Sequence, residues 1–268
     1  MVFGHQGAQT STQGSFTDAH VVAPILVGGA LLVAFAVHAL RTSDPLIDLR
    51  LFRARTFSAS SALVFLFSMA MLGVQLLLPL YYQEVRHQSA LDAGLLLAPG
   101  GIGMAAALIV AGRLTDRIGP RPIVLTGLLL SGLSTLTYTQ VGAHTSVLVL
   151  SIIQMVNGAG VGAALVTSLA SPYRGLRSSQ IPRATSAIRV LQQLGGSFGV
   201  AILAVVLQRQ LVDQADHGGN LAAAFGNTFW WALAFIVLAA IPTLFLPGRG
   251  SSRRCRDGSP ARPRLATS

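Results

Sequence analysis

Lysine is absent from this chain of 268 residues, and cysteine occurs once, at Cys255. Without a lysine amine no chromophore can be held as a Schiff base, and a single thiol cannot build a disulfide-rich secreted module. Charge of either sign is scarce. Only 10% of the residues are charged, against about 25% in an average soluble domain. With 52% hydrophobic residues, the chain is too apolar to be disordered and too poor in charge to be an ordinary soluble globule. The charges present are lopsided, 19 basic to 9 acidic, and every basic residue is arginine. Such a balance fits nucleic-acid binding when the cations gather on one surface of a soluble fold. Here they fall in short gaps between long apolar runs, so a membrane protein is expected and no nucleic-acid partner.

Seven apolar runs stand near 21–40, 57–80, 92–112, 122–142, 146–170, 184–207 and 227–247. About 20 apolar residues in a helix cross the hydrocarbon core. None of the runs alternates in polarity as a barrel strand does. Lipid offers no partner to backbone N–H and C=O groups, so each run reads as a helix. The expected fold class is an all-α membrane protein of about seven transmembrane helices. Residues 1–19 read as an external polar segment, 20–40 as a separate linker helix, 57–247 as a six-helix unit and 248–268 as a basic, disordered cytoplasmic tail. Seventeen of the 19 arginines fall on one side of this stack, with only Arg86 and Arg209 on the other. Positive residues mark the cytoplasmic side, so the N-terminus is expected outside and the C-terminus inside, in the plasma membrane. Residues 1–19 carry no arginine and do not resemble the basic start of a signal peptide.

Seven helices with an outer N-terminus raise the idea of a heptahelical receptor. The third run ends Val110-Ala111-Gly112-Arg113 and the seventh reads Ala239-Ala240-Ile241-Pro242-Thr243. Neither carries the Asp/Glu-Arg-Tyr or Asn-Pro-x-x-Tyr signature of rhodopsin-like receptors, and one cysteine cannot form their external pair. No membrane-embedded Ser/His, His/Asp or metal-ligand constellation is present either. The chain is therefore not expected to be an enzyme, and no catalytic residue, metal site or cofactor is assigned.

The gap after the third run is the most informative segment. It reads Gly112-Arg113-Leu114-Thr115-Asp116-Arg117-Ile118-Gly119-Pro120-Arg121-Pro122, a G-x-x-x-D-R-x-G-x-R pattern. The chemistry suits a gate. Gly112 lets helix ends approach, and Gly119-Pro120 makes a turn that restarts a helix. Asp116 can accept from a helix N-terminus and pair with Arg117 or a neighbouring arginine, and Arg121 completes the candidate gate motif. Such a latch can hold in one access state and release in another. The alternative is a short cytoplasmic loop that is basic only because it faces the cytoplasm.

This pattern resembles the loop signature of the major facilitator superfamily. Pro45–Arg53, Leu78–Gln83, Ala93–Gly101 and Ser186–Gly199 add an order and spacing similar to the C-terminal half of the fourteen-span drug:proton antiporters of the EmrB/QacA type. The resemblance covers about residues 20–247. It implies that 20–40 matches one of that branch's two central helices and that 57–247 matches its C-terminal six-helix bundle. The implied function is proton-coupled export of small lipophilic compounds by alternating access. The N-terminal six helices of the branch have no counterpart here. A truncated or orphan half, or a subunit without transport activity of its own, is the alternative.

Several residues are candidates for that work. No run carries Asp or Glu near its centre, and proton coupling usually needs an intramembrane carboxylate, so the coupling site is expected in the missing N-terminal half. The amides Gln75, Gln154, Asn157 and Gln193 are candidates for a substrate cavity, since polar groups in lipid are costly unless they face partners or water. Hydrogen bonding between helices is their other explanation. Gly158, Gly162, Gly195, Gly196 and Gly199 are candidates for close helix packing. The six-helix unit is expected to hide an inverted repeat, 57–142 against 146–247. Arg189 reads as snorkelling to the inner interface or as a gate partner for Asp116.

Overall fold

The computed structural model describes residues 55–140, 145–170, 181–216 and 221–244. The expected polar segment, linker helix and basic tail lie outside the described residues. Within them the chain forms six helices: α1 Arg55–Leu80, α2 Ala90–Ile118, α3 Pro120–Tyr138, α4 Val147–Ala170, α5 Ile181–Asp216 and α6 Leu221–Leu244. A π-helical turn, Tyr81–Val85, continues α1 just past Pro79. Five of these helices are long and apolar enough to cross a membrane. The sixth, α3, is the shortest at 19 residues and the richest in hydroxyls. Its Ser134, Thr135 and Thr137 each donate back to a carbonyl one turn earlier, Leu130, Ser131 and Leu133. Those hydroxyls are satisfied within the helix, as an apolar surround requires.

Two helices overrun their apolar runs, while α3 stops a few residues short of its own. The third run closes at 112 but α2 continues to Ile118, and the sixth closes at 207 but α5 continues to Asp216. Apolar content marks the part of a helix in lipid. In water the helix goes on for as long as local signals favour it. Start signals are visible at α2, where Ser89 caps the helix by accepting from the Asp92 N–H at 3.2 Å and donating to its carboxylate at 2.7 Å. Asp92 also lies in the first turn, where a negative charge meets the positive end of the helix dipole.

Packing follows a two-fold pattern. α1 lies mainly against α5 and then α6, while α4 lies mainly against α2 and then α3, and α3 meets α6. Exchanging α1–α3 for α4–α6 maps this pattern onto itself, as an inverted repeat does. Two apolar cores result. One gathers Tyr81, Tyr82, Tyr138, Phe225 and Phe229 at what we call the aromatic end. The other gathers smaller side chains, among them Leu63, Val124, Leu128, Ala164 and Ala239, toward the arginine end. At the aromatic end Tyr138 stacks on Phe229 with centroids 5.6 Å apart, and Tyr81 meets Phe225 edge-on at 5.9 Å. Such pairs add about 0.5–1.5 kcal/mol each beyond area burial. Leu95, Ile102 and Ile109 of α2, with Trp230 and Trp231 of α6, are exposed. An apolar surface of this extent is a liability in water and is the solvated face in lipid.

Candidate functional site

Where α1, α2 and α4 part, they leave a cavity of about 460 Å³. Its walls are mostly apolar, with Phe67 and Met71 from α1 and Met104 from α2. Ile236 of α6 and Ser131 of α3 close its far side. Three of the four candidate amides come together here: Gln75, Gln154 and Asn157. Gln193 is not among them. It lines a separate depression of about 170 Å³ with Gln192, Arg189 and Ser68. The reason is the face that α5 turns to α1. Gly195 and Gly199 sit so close to the backbone of Phe65 and Met69 that no Cβ would fit, and this contact fixes the rotation of α5.

The amides differ in how they are held. Gln154 is 8% exposed and Asn157 6% exposed, whereas Gln75 lies open at the cavity wall. The Tyr138 hydroxyl donates to Gln154 Oε1 at 2.9 Å. The Tyr82 and Tyr138 hydroxyls are 3.4 Å apart, a weaker link at the edge of hydrogen-bond range. With its oxygen engaged by Tyr138, Gln154 turns its Nε2 toward Gly100. Asn157 Nδ2 is buried and has no hydrogen-bond partner. Leaving such a donor unmet costs about 1–3 kcal/mol, so its position is not explained by packing alone. Gly158, one residue on, lies against the Gly100 backbone with no room for a Cβ, and this brings the α4 amides to the edge of α2. Pro79 has no N–H to give to the Gln75 carbonyl one turn before it, which weakens α1 beside the cavity at the point where its π-helical turn begins.

The Gly112–Pro122 segment is not an open loop. Gly112 to Ile118 form the last turns of α2, and α3 begins at Pro120. Gly119 is the one residue between them, with φ 89° and ψ 167°, and its N–H bonds the Thr115 carbonyl at 3.0 Å. That φ lies in the left-handed half of conformational space, which glycine enters without a Cβ penalty. Pro120 then takes the first helical position, where its missing N–H costs nothing. Arg117 is exposed and Arg121 half-buried; the Asp116 side chain lies outside the described residues. A Cβ added at Gly112 would meet nothing within 4 Å, so no neighbouring helix closes on that glycine in this state.

Gly162 lies against Met104, and Gly196 against the Leu72 side chain. Among the described residues every carboxylate lies near a helix end, and none lines the cavity. Sequence reasoning missed the two tyrosines that organise the site. Tyr82 and Tyr138 are 56 residues apart, and nothing in either apolar run pairs them. The available signal was that a tyrosine at the end of an apolar run needs a partner for its hydroxyl.

A family model described as Major Facilitator Superfamily matches residues 19–200 and 61–263. The chain is 30% identical over 285 residues to a multidrug resistance protein B homolog of Mycobacterium tuberculosis, an alignment covering 92% of this chain and 53% of that protein. It is 29% identical over 255 residues to the lincomycin resistance protein LmrB of Listeria monocytogenes, covering 92% and 54%. With the multidrug transporter protein MdtP of Bacillus subtilis it shares 26% identity over 176 residues, covering 66% and 32%. The chain thus spans about half the length of the first of these relatives.

Proposed function

The chain belongs to the major facilitator superfamily, and on that premise we propose that it forms the C-terminal six-helix half of a proton-coupled exporter of lipophilic compounds. It is an integral membrane protein. In this reading it lies in the plasma membrane with its C-terminus in the cytoplasm, and the arginine end of the bundle faces inward. The cavity between α1, α2 and α4 forms one wall of the substrate site. The two-fold packing lets the bundle rock as a unit against a second six-helix unit. That unit supplies the rest of the cavity and the coupling carboxylate, since none of the described carboxylates lines the cavity on this side. Gly112, Asp116, Arg117, Gly119 and Arg121 act as the inner gate.

The observation that carries this reading is the set of buried amides in a mostly apolar cavity, about midway along a membrane-spanning helix. Ligand sites of this kind are concave and apolar, with a few placed polar groups. Everted vesicles from cells producing the native polypeptide should take up a lipophilic dye when respiration acidifies their interior. Asp116→Asn should abolish that uptake while the amount of inserted protein stays the same. Undiminished uptake by this variant removes Asp116 from the gate, and uptake indifferent to the pH gradient removes protons from the reaction.

With no described carboxylate on the cavity wall, the second reading is a subunit active only beside a separate partner. An antibody against the Arg-rich tail separates the two. A native band near 28.0 kDa, with dye uptake only when a second six-helix polypeptide is co-produced, supports the subunit.

A further inference from the structure

Gln75 and Ser131 bring both donors and acceptors to the cavity wall, but the two buried amides are oriented. Tyr138 occupies the Gln154 oxygen. This fixes the amide so that its N–H₂ group is the part left to interact, next to Gly100 on the cavity wall. One turn along α4, Asn157 lines the same cavity with its Nδ2 buried and unmet. No carboxylate among the described residues lines the cavity. A cation in this part of the site would find no counter-charge among the described residues, whereas an acceptor oxygen would find up to two N–H₂ groups on α4.

We infer that this half of the site selects uncharged, apolar molecules bearing a hydrogen-bond acceptor such as a ketone or amide carbonyl, which Asn157 Nδ2 and Gln154 Nε2 bind. The inference rests on the reading of the cavity as a substrate site and adds the chemical class to it. Tyr138 is a positioning residue in this scheme: it holds the Gln154 oxygen and so sets which end of that amide faces the ligand. Met71 and Met104 are unbranched and adaptable, so the apolar body of the ligand is held loosely while the carbonyl is held by geometry.

The test uses the native polypeptide in lipid nanodiscs, with benzophenone as a photolabel that carries its own carbonyl. The competitors are fluorenone, its near-isostere fluorene (CH₂ in place of C=O) and the cation tetraphenylphosphonium. Labelling should map to the α1, α2 and α4 residues of the cavity. Fluorenone should compete at about tenfold lower concentration than fluorene, a difference suited to one or two net hydrogen bonds, and tetraphenylphosphonium no better than fluorene. Asn157→Leu removes the unmet donor at similar volume and should bring the two competitors together. Asn157→Asp, if it folds, should improve competition by tetraphenylphosphonium.

Gly101 lies on the cavity wall with open space where its Cβ would be. Gly101→Leu should therefore fill the cavity without a backbone clash and suppress labelling altogether. Labelling elsewhere, or labelling that survives Gly101→Leu, overturns the substrate-site reading and the inference with it. Labelling in the cavity that fluorenone and fluorene displace equally, or best displacement by tetraphenylphosphonium, overturns the inference alone.

Discussion

Two helix pairs in this bundle are packed alike and furnished differently. In α1 and α5 the backbones touch because Gly195 and Gly199 leave room for Phe65 and Met69. In α2 and α4 they touch because Gly158 leaves room for Gly100, and Gly103 for Met155. The two pairs exchange under the two-fold pattern. Yet α2 and α4 frame two buried amides and a cavity of about 460 Å³, whereas α1 and α5 frame a smaller one of about 170 Å³ with the exposed Arg189 and Gln193. The backbone contact is shared because small residues are what brings helices together in lipid. The side chains laid over it are not shared. Chemistry is therefore to be sought where the repeat breaks, and packing where it holds.

The largest effects should come from breaking what the pairs share. Gly158→Leu and Gly199→Leu each drive a side chain into backbone that cannot step aside. Both should cost several kcal/mol and abolish the monodisperse peak of detergent-solubilised protein in size-exclusion chromatography. If one is tolerated and the other is not, the pairs are not equivalent. Next comes the bond that only one pair has. Tyr138→Phe leaves the Gln154 oxygen buried without its donor and should destabilise by about 1–3 kcal/mol, read as a lower midpoint of thermal unfolding. Gln193→Leu, in the other pair, should leave that midpoint where it is. A smaller contrast lies within α2. Gly103→Ala should destabilise, because its Cβ would strike the Met155 carbonyl. Gly112→Ala meets open space and should be neutral or stabilising by up to about 1 kcal/mol, the helix-propensity gain of alanine over glycine.

Much of the fold is legible in the sequence, because lipid demands about 20 apolar residues wherever a helix crosses. The six runs from 57 onward all became helices. Their ends were less legible: no apolar count says that α2 runs through Arg113 and Arg117 to Ile118, because the signal that stops it is one residue, Gly119. The site was legible as residue types. Gln75, Gln154 and Asn157 stand out in apolar runs, since an amide there must be satisfied or exposed to a cavity. Gln193 stands out equally and lies elsewhere, because the rotation of α5 is set by Gly195 and Gly199 packing on α1; the glycines mark a close contact within the run but not the helix they meet. The tyrosine that orients Gln154 was invisible for the same reason.

The single residue that joins α2 to α3 has a mechanical consequence. α2 and α3 touch each other only lightly, although both pack on α4, and the covalent link between them contains no slack. Gly119 offers two torsions and no length. α2 cannot slide like a piston past a stationary α3; any travel of its end must be taken up by an equal travel at Pro120 or by rotation about one glycine. The joint behaves as an elbow rather than a tether, and a shift of the α2 end is shared between the first turn of α3 and the torsions of one glycine.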